Sequence, residues 1–143
     1  MSSTQQPLAS TGSLNEKWKE RFAFFEAHGE PKSAEYQAAL KALPRNKQRL
    51  IQMNIIAFFF GIIYLFVLGM WRKNLSFIGI FVAIGVVEVI IEATFNITIA
   101  QALQMGISVA MAMMYALSTN YSYYLTRVKG SKSWNPFEGM RWI

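Results

Sequence analysis

Residues 75–99, LSFIGIFVAIGVVEVIIEATFNITI, decide the fold of this 143-residue chain. The run contains no Lys or Arg, and its only acids are Glu88 and Glu92. A helix rises about 1.5 Å per residue, so the run is long enough to cross a hydrocarbon layer about 30 Å thick. Because a charged side chain at that depth costs roughly 2.5 to 3.5 kcal/mol on insertion scales, both acids should face protein or water.

Charge and apolar residues are segregated along the rest of the chain. The first 49 residues carry most of the charge, whereas the apolar side chains concentrate between residues 50 and 125. The net charge is +6, and the Lys and Arg residues flank apolar spans, so we expect anionic lipid headgroups and no nucleic acid as partners. The chain has no Cys, and we expect neither a metal nor another cofactor.

Residues 14–49 predict a cytoplasmic amphipathic helical hairpin that ends in a basic juxtamembrane run. A capping box that begins at Ser13 should start the first helix, and His28-Gly29 should end it. A second helix is expected over about residues 33–43, before Pro44. The preceding residues, 1–13, lack the features of a signal peptide and predict a disordered polar tail.

An aromatic stripe runs along the first of these helices. Trp18, Phe22 and Phe25 recur at spacings of four and three, which places them on one helical face. So small a hairpin cannot bury them alone. Two alternatives remain: the stripe lies in the membrane interface or against the protein's own spans, or it docks a partner protein.

The membrane region predicted over residues 50–126 contains three apolar segments, at 50–70, 75–95 and 99–125. A cytoplasmic aromatic and basic tail is expected to follow over residues 127–143. Basic and aromatic residues flank the segments and are expected to contact headgroups. They are Arg45, Lys47, Arg49, Trp71, Arg72, Lys73, Arg127 and Lys129.

Two topologies fit the first segment. If all three segments span, the 14 Lys and Arg residues divide eight to six between the two sides. If residues 50–70 instead enter and leave on one side, with a bend near Gly61, all 14 stay cytoplasmic. Because positive charge in short loops concentrates on the cytoplasmic side, the re-entrant topology is favoured, with both termini cytoplasmic.

The two acids of the central span form a candidate site. Glu88 and Glu92 share a helix face, with Cβ atoms about 5 to 6 Å apart. Gln104, Ser108 and Tyr115 recur on the third segment and predict a polar stripe that faces them. The pattern of these five residues predicts one of two things. They form either a proton- or cation-handling site or a polar interface that holds helices or protomers together.

Several short runs occur together as in a known family. They are RFAFFE at 21–26, HG at 28–29, FFFG at 58–61 and GMWRK at 69–73. The pattern resembles the small bacterial inner-membrane proteins of the YigF-like family, whose function is unknown, over about residues 17–80. The resemblance implies a bacterial inner-membrane location and no established activity.

We therefore expect an all-α membrane protein that is not an enzyme. It has an N-terminal cytoplasmic helical hairpin, one re-entrant or spanning segment, and a two-helix transmembrane hairpin. The leading expectation is a subunit, adaptor or immunity-type binding partner of another protein, bound through the Trp18, Phe22 and Phe25 stripe and the membrane helices. The expected partner is a membrane protein or a second copy of the chain. The alternative is a small oligomeric channel or a proton- or cation-coupled transporter that uses Glu88 and Glu92.

Overall fold

The computed structural model describes residues 15–140, which form six helices and no strand. The predicted tail at 1–13 and its Ser13 cap lie outside these residues. The helices are α1 (Glu16–His28), α2 (Ala34–Lys41), α3 (Arg45–Gln52), α4 (Ile55–Val67), α5 (Trp71–Phe95) and α6 (Gln101–Arg127).

Local capping chemistry sets the ends of the first two helices. The Asn15 side chain accepts a hydrogen bond from the Trp18 amide at 3.0 Å, so α1 begins directly after Asn15. Gly29 ends α1 with φ of 76°, a conformation that glycine adopts without strain. Ser33 then caps α2 by accepting from the Tyr36 amide at 3.2 Å.

Three helical stretches are long and apolar enough to cross a membrane. They are Arg45–Val67, Trp71–Phe95 and Gln101–Arg127, and an 18-residue window within each has a mean hydropathy of 2.2, 2.3 and 1.3, respectively. The first stretch is not one straight helix. Met53 is extended between α3 and α4, with φ of −125° and ψ of 138°, and Phe60 has the non-helical values −126° and 24° inside α4.

The C-terminal half of α6 is the centre around which the other helices pack. Its buried residues include Tyr115 and the run from Ser118 to Tyr124. Helices α1, α3 and α4 lie against this half, and α5 packs on α4. Residues 82–110, the far halves of α5 and α6 with their connecting loop, extend beyond the packed helices and are mostly exposed. We call this helix–loop–helix stretch the distal hairpin, a name that refers only to its order along the chain.

The segment after α6 folds back across the start of α5. The Ser76 hydroxyl donates to the Trp134 carbonyl at 2.7 Å, and the Arg72 guanidinium donates to the Lys132 carbonyl at 3.0 Å. The Lys32 amide donates to the Gly139 carbonyl at 3.2 Å. This segment therefore contacts both the beginning of α5 and the loop between α1 and α2.

Candidate functional site

The aromatic stripe of α1 is buried against α6. The Trp18 ring lies 4.6 Å from that of Tyr123, centroid to centroid, and the Phe25 ring lies 5.2 Å from that of Tyr121. Phe22 is also buried, between Tyr123 and Tyr124. The prediction that Trp18, Phe22 and Phe25 dock a partner protein is therefore wrong. The protein's own α6 covers them, in agreement with the alternative that the stripe lies against the protein's own spans.

Two asparagines form a buried polar contact between α4 and α6. The Asn54 side-chain amide donates to Oδ1 of Asn120 at 3.1 Å, and the Asn54 backbone amide donates to the Ala116 carbonyl at 2.9 Å. Asn120 Nδ2 donates in turn to the Ile51 carbonyl at 3.0 Å. Sequence reasoning noted no role for either side chain, although an amide inside an apolar run is a recognisable signal.

Tyr115 belongs to a second buried polar contact and not to the acidic pair. Its hydroxyl donates to Oδ1 of Asn74 at 2.8 Å, and the side-chain amide nitrogen of Asn74 donates to the Ile62 carbonyl at 2.7 Å. Its ring packs on Phe77 at 4.3 Å and covers Gly61. The predicted grouping of Tyr115 with Glu88 and Glu92 is therefore wrong, because the hydroxyl is engaged near the start of α5.

The acidic pair lies within the distal hairpin, and both acids are half-buried. Glu92 Oε1 accepts a hydrogen bond from the Ile99 amide at 2.7 Å, so this carboxylate holds the connecting loop. Within residues 15–140, no hydrogen bond joins either acid to Gln104 or Ser108. The Ser108 hydroxyl donates to the Gln104 carbonyl on its own helix at 3.0 Å.

The ring contacts between α5 and α6 lie at the near end of the distal hairpin. The Tyr115 ring of α6 lies 4.3 Å from that of Phe77 and 5.6 Å from that of Phe81 on α5. Beyond these contacts, residues 82–110 are mostly exposed, and within residues 15–140 no hydrogen bond joins Glu88 to α6.

The distal half of α6 exposes polar and small side chains among apolar ones. Many exposed residues of distal α5 are large and apolar, with Val82, Val86 and Ile90 among them. Distal α6 exposes the large apolar residues Leu103, Met105 and Val109, and in addition the amides of Gln101 and Gln104, the Ser108 hydroxyl and the small residues Ala102, Gly106 and Ala110. A Cβ added at Gly106 would meet no heavy atom within 4 Å, so a neighbouring helix has room to approach there.

The residues expected at headgroups differ in their exposure and in the contacts that they make. Arg45 and Arg49 are exposed on α3, whereas Lys47 pairs with Glu20 at 2.7 Å. Trp71 stacks edge-on against Trp134, and the Arg72 guanidinium lies over the Trp71 ring. The Arg127 and Lys129 side chains lie over the rings of Tyr123 and Tyr124.

Lys73 contradicts the expectation that it contacts headgroups. Its side chain is only 2% exposed, and its Nζ lies 3.4 Å from a carboxylate oxygen of Glu138. The returning C-terminal segment covers this side chain, and the Ser131 hydroxyl donates to the same carboxylate at 2.9 Å. Lys73 therefore ties the segment to α5. A sequence pattern cannot reveal such a long-range contact.

Two comparisons with known proteins find relatives of this chain. Residues 5–129 match the family model described as "Protein of unknown function (DUF2628)". The proteins named "Uncharacterized protein YigF" from Salmonella typhimurium, Salmonella typhi and Escherichia coli are each 40% identical over 128 residues. The alignment covers 87% of this chain and 93% of each relative. No solved structure matches.

Proposed function

Because the chain belongs to the DUF2628 family of proteins of unknown function, which confirms the YigF-like resemblance, we propose a function from its geometry. The proposal is a non-enzymatic inner-membrane protein whose distal hairpin binds a helix of another membrane protein. It would act as a subunit, an adaptor or an immunity-type partner.

The exposed face of α6 is the observation that carries this proposal. Gln104 and Ser108 lie within a helix apolar enough to span a membrane, yet both are exposed on a single chain. Amides and hydroxyls at helix interfaces in membranes form bonds across helices, worth about 0.6 to 2 kcal/mol each. Lipid cannot supply such bonds to the Gln104 side-chain amide, whereas the Ser108 hydroxyl already donates within its own helix. The neighbouring α5 face, by contrast, has the apolar chemistry that lipid tolerates.

The proposal includes a re-entrant α4 with both termini cytoplasmic. Helix α4 has 13 residues, which at about 1.5 Å each is shorter than a hydrocarbon layer of about 30 Å. The chain just before it is bonded to α6 through Ile51 and Asn120. The chain just after it is bonded, through Arg72, to the segment that follows α6. Both ends of the segment thus lie near the same end of α6.

A photo-cross-linking side chain at position 104 tests the proposed partner surface. We expect the chain that carries the cross-linker in place of Gln104 to form an adduct with a second protein in native membranes, because a helix of the partner should cover that face of α6. Position 90 is the matched control, since Ile90 is an exposed apolar residue five residues before the end of α5, and Gln104 lies three residues after the start of α6. Mass spectrometry of the adduct identifies the partner or, at twice the chain mass, a second copy. Equal yields at 104 and 90 would contradict the proposal.

The alternative function, a channel or a proton- or cation-coupled transporter, rests on Glu88, a half-buried acid within a helix apolar enough to span a membrane. Flux through proteoliposomes separates the two proposals. A pH-dependent flux that Glu88→Gln abolishes at normal protein levels favours transport. Silent liposomes, together with an adduct at position 104, favour the binding function.

A further inference from the structure

A groove of about 960 Å³ opens between α1 and the first half of α4. Its lining includes the cations Lys17 and Arg49 and the apolar residues Ile55, Phe58 and Phe59. This volume lies within the range of about 300 to 1,000 Å³ that is typical of small-ligand sites. The groove therefore combines cationic and apolar side chains.

Arg21 lines this groove as a buried cation. Its side chain is 7% exposed, its Nε donates to the Leu50 carbonyl at 2.7 Å, and its Nη2 lies 3.5 Å from the Met53 carbonyl. Its guanidinium also lies 4.7 Å from the centre of the Trp18 ring. Burial lowers the pKa of Arg21 below its usual value. The groups that Arg21 contacts directly are all uncharged, and Glu20, whose attraction raises the pKa of Arg21, acts from beyond ion-pair distance.

The acids nearest to the groove already have cationic partners. Glu16, in the lining, pairs with Lys19 at 3.0 Å, and Glu20 pairs with Lys47 at 2.7 Å. Within residues 15–140, no carboxylate lies within 4 Å of the Arg21, Lys17 or Arg49 side-chain nitrogens. A buried charge is costly unless an opposite charge accompanies it. The groove is thus electrostatically suited to an anion.

The apolar residues of the lining restrict what that anion can be. Phe59 is 70% exposed and lies five residues after Asn54, in the part of α4 that the proposed topology places in lipid. A small free anion would leave this surface uncovered, whereas an acyl chain would cover it. Arg and Lys bind phosphate oxygens through charge-assisted hydrogen bonds.

We propose that the groove binds one anionic phospholipid, with its phosphate at Arg21, Arg49 and Lys17 and an acyl chain along Phe58 and Phe59. The inference rests on the membrane placement of α4 proposed above. It adds a specific lipid site to a protein whose exposed basic residues, such as Arg45, would meet headgroups without selection. The bound lipid would join α1 to α4 from the membrane side.

Native mass spectrometry of the detergent-purified chain, titrated with phosphatidylglycerol or phosphatidylcholine, tests this site. We expect one phosphatidylglycerol to be retained and bound more tightly than phosphatidylcholine. Each cation near an anionic headgroup contributes about 1 kcal/mol, so Arg49→Gln should weaken phosphatidylglycerol binding about fivefold. Arg45→Gln is the matched control, because Arg45 is exposed on the same helix outside the groove.

Arg21→Gln should weaken binding at least as much, and Arg49→Gln keeps the test valid if loss of the buried Arg21 prevents folding. Equal effects of Arg49→Gln and Arg45→Gln would overturn the inference, as would equal affinity for the two lipids. Displacement of the lipid by inorganic phosphate at a comparable concentration would overturn the lipid as occupant. Failure of the membrane placement has a different signature, because the wild-type chain would then purify without detergent.

Discussion

Gly61→Ala is expected to lower the free energy of unfolding by about 1 to 3 kcal/mol, the usual cost of overpacking a core. A Cβ at this position would lie 2.5 Å from Cγ of Tyr115 and 2.8 and 2.9 Å from its two Cδ atoms. The ring cannot easily move away, because its hydroxyl donates to Asn74 and its face packs on Phe77. The substitution therefore disrupts the contact between α4 and α6.

Thermal unfolding in detergent measures this effect, with Gly79→Ala as the control. A Cβ at Gly79 would meet nothing within 4 Å, and alanine favours a helix by about 0.5 to 1 kcal/mol over glycine. Gly79→Ala should therefore keep or raise the melting temperature, whereas Gly61→Ala should lower it by several degrees. If both variants melt at the wild-type temperature, the close contact of Gly61 with Tyr115 does not exist.

Asn120→Leu is expected to lower the free energy of unfolding by about 2 to 6 kcal/mol, which exceeds the effect expected for Gly61→Ala. The side chain satisfies the Asn54 amide and the Ile51 carbonyl, and leucine can bond neither. Each buried polar group left without a partner costs about 1 to 3 kcal/mol. The Leu50 carbonyl is less affected, because Arg21 still donates to it. We expect α3 and α4 to separate from α6.

Ser118→Ala provides the control for Asn120→Leu on the same helix. The Ser118 hydroxyl is buried and, within the described part of the chain, has no hydrogen-bond partner. Its removal should leave stability unchanged or raise it slightly, because an unsatisfied buried group is lost. Denaturant unfolding of the two variants in one detergent compares them. Equal stability of both variants would show that the asparagine contact contributes nothing.

Local and periodic features of this fold could be predicted from sequence. The C-terminal end of α1 at Gly29 and the start of α2 after Ser33 follow from capping chemistry, which depends on residues within one turn. The three apolar stretches follow from hydropathy and length alone. The stripe at Trp18, Phe22 and Phe25 follows from helical spacing, since all three do share the buried face of α1.

The partners of those features could not be predicted, because distant segments supply them. Asn54 meets Asn120 across 66 residues, and Lys73 meets Glu138 across 65. Periodicity shows which face of a helix needs a neighbour but not which neighbour it receives. The same reason explains the error at Tyr115, whose hydroxyl bonds Asn74 and not the acids of the distal hairpin.

Cysteine accessibility tests the central claim, that α4 enters and leaves the membrane on the cytoplasmic side, most directly. The chain has no Cys, so single substitutions can be labelled without background. Val67 is 74% exposed at the end of α4, Ile97 lies in the loop of the distal hairpin, and Lys41 ends α2. With a membrane-impermeant maleimide on intact cells, we predict labelling of Ile97→Cys alone. Val67→Cys should react only after permeabilisation, as Lys41→Cys does. Labelling of Val67→Cys together with Ile97→Cys in intact cells would contradict the account.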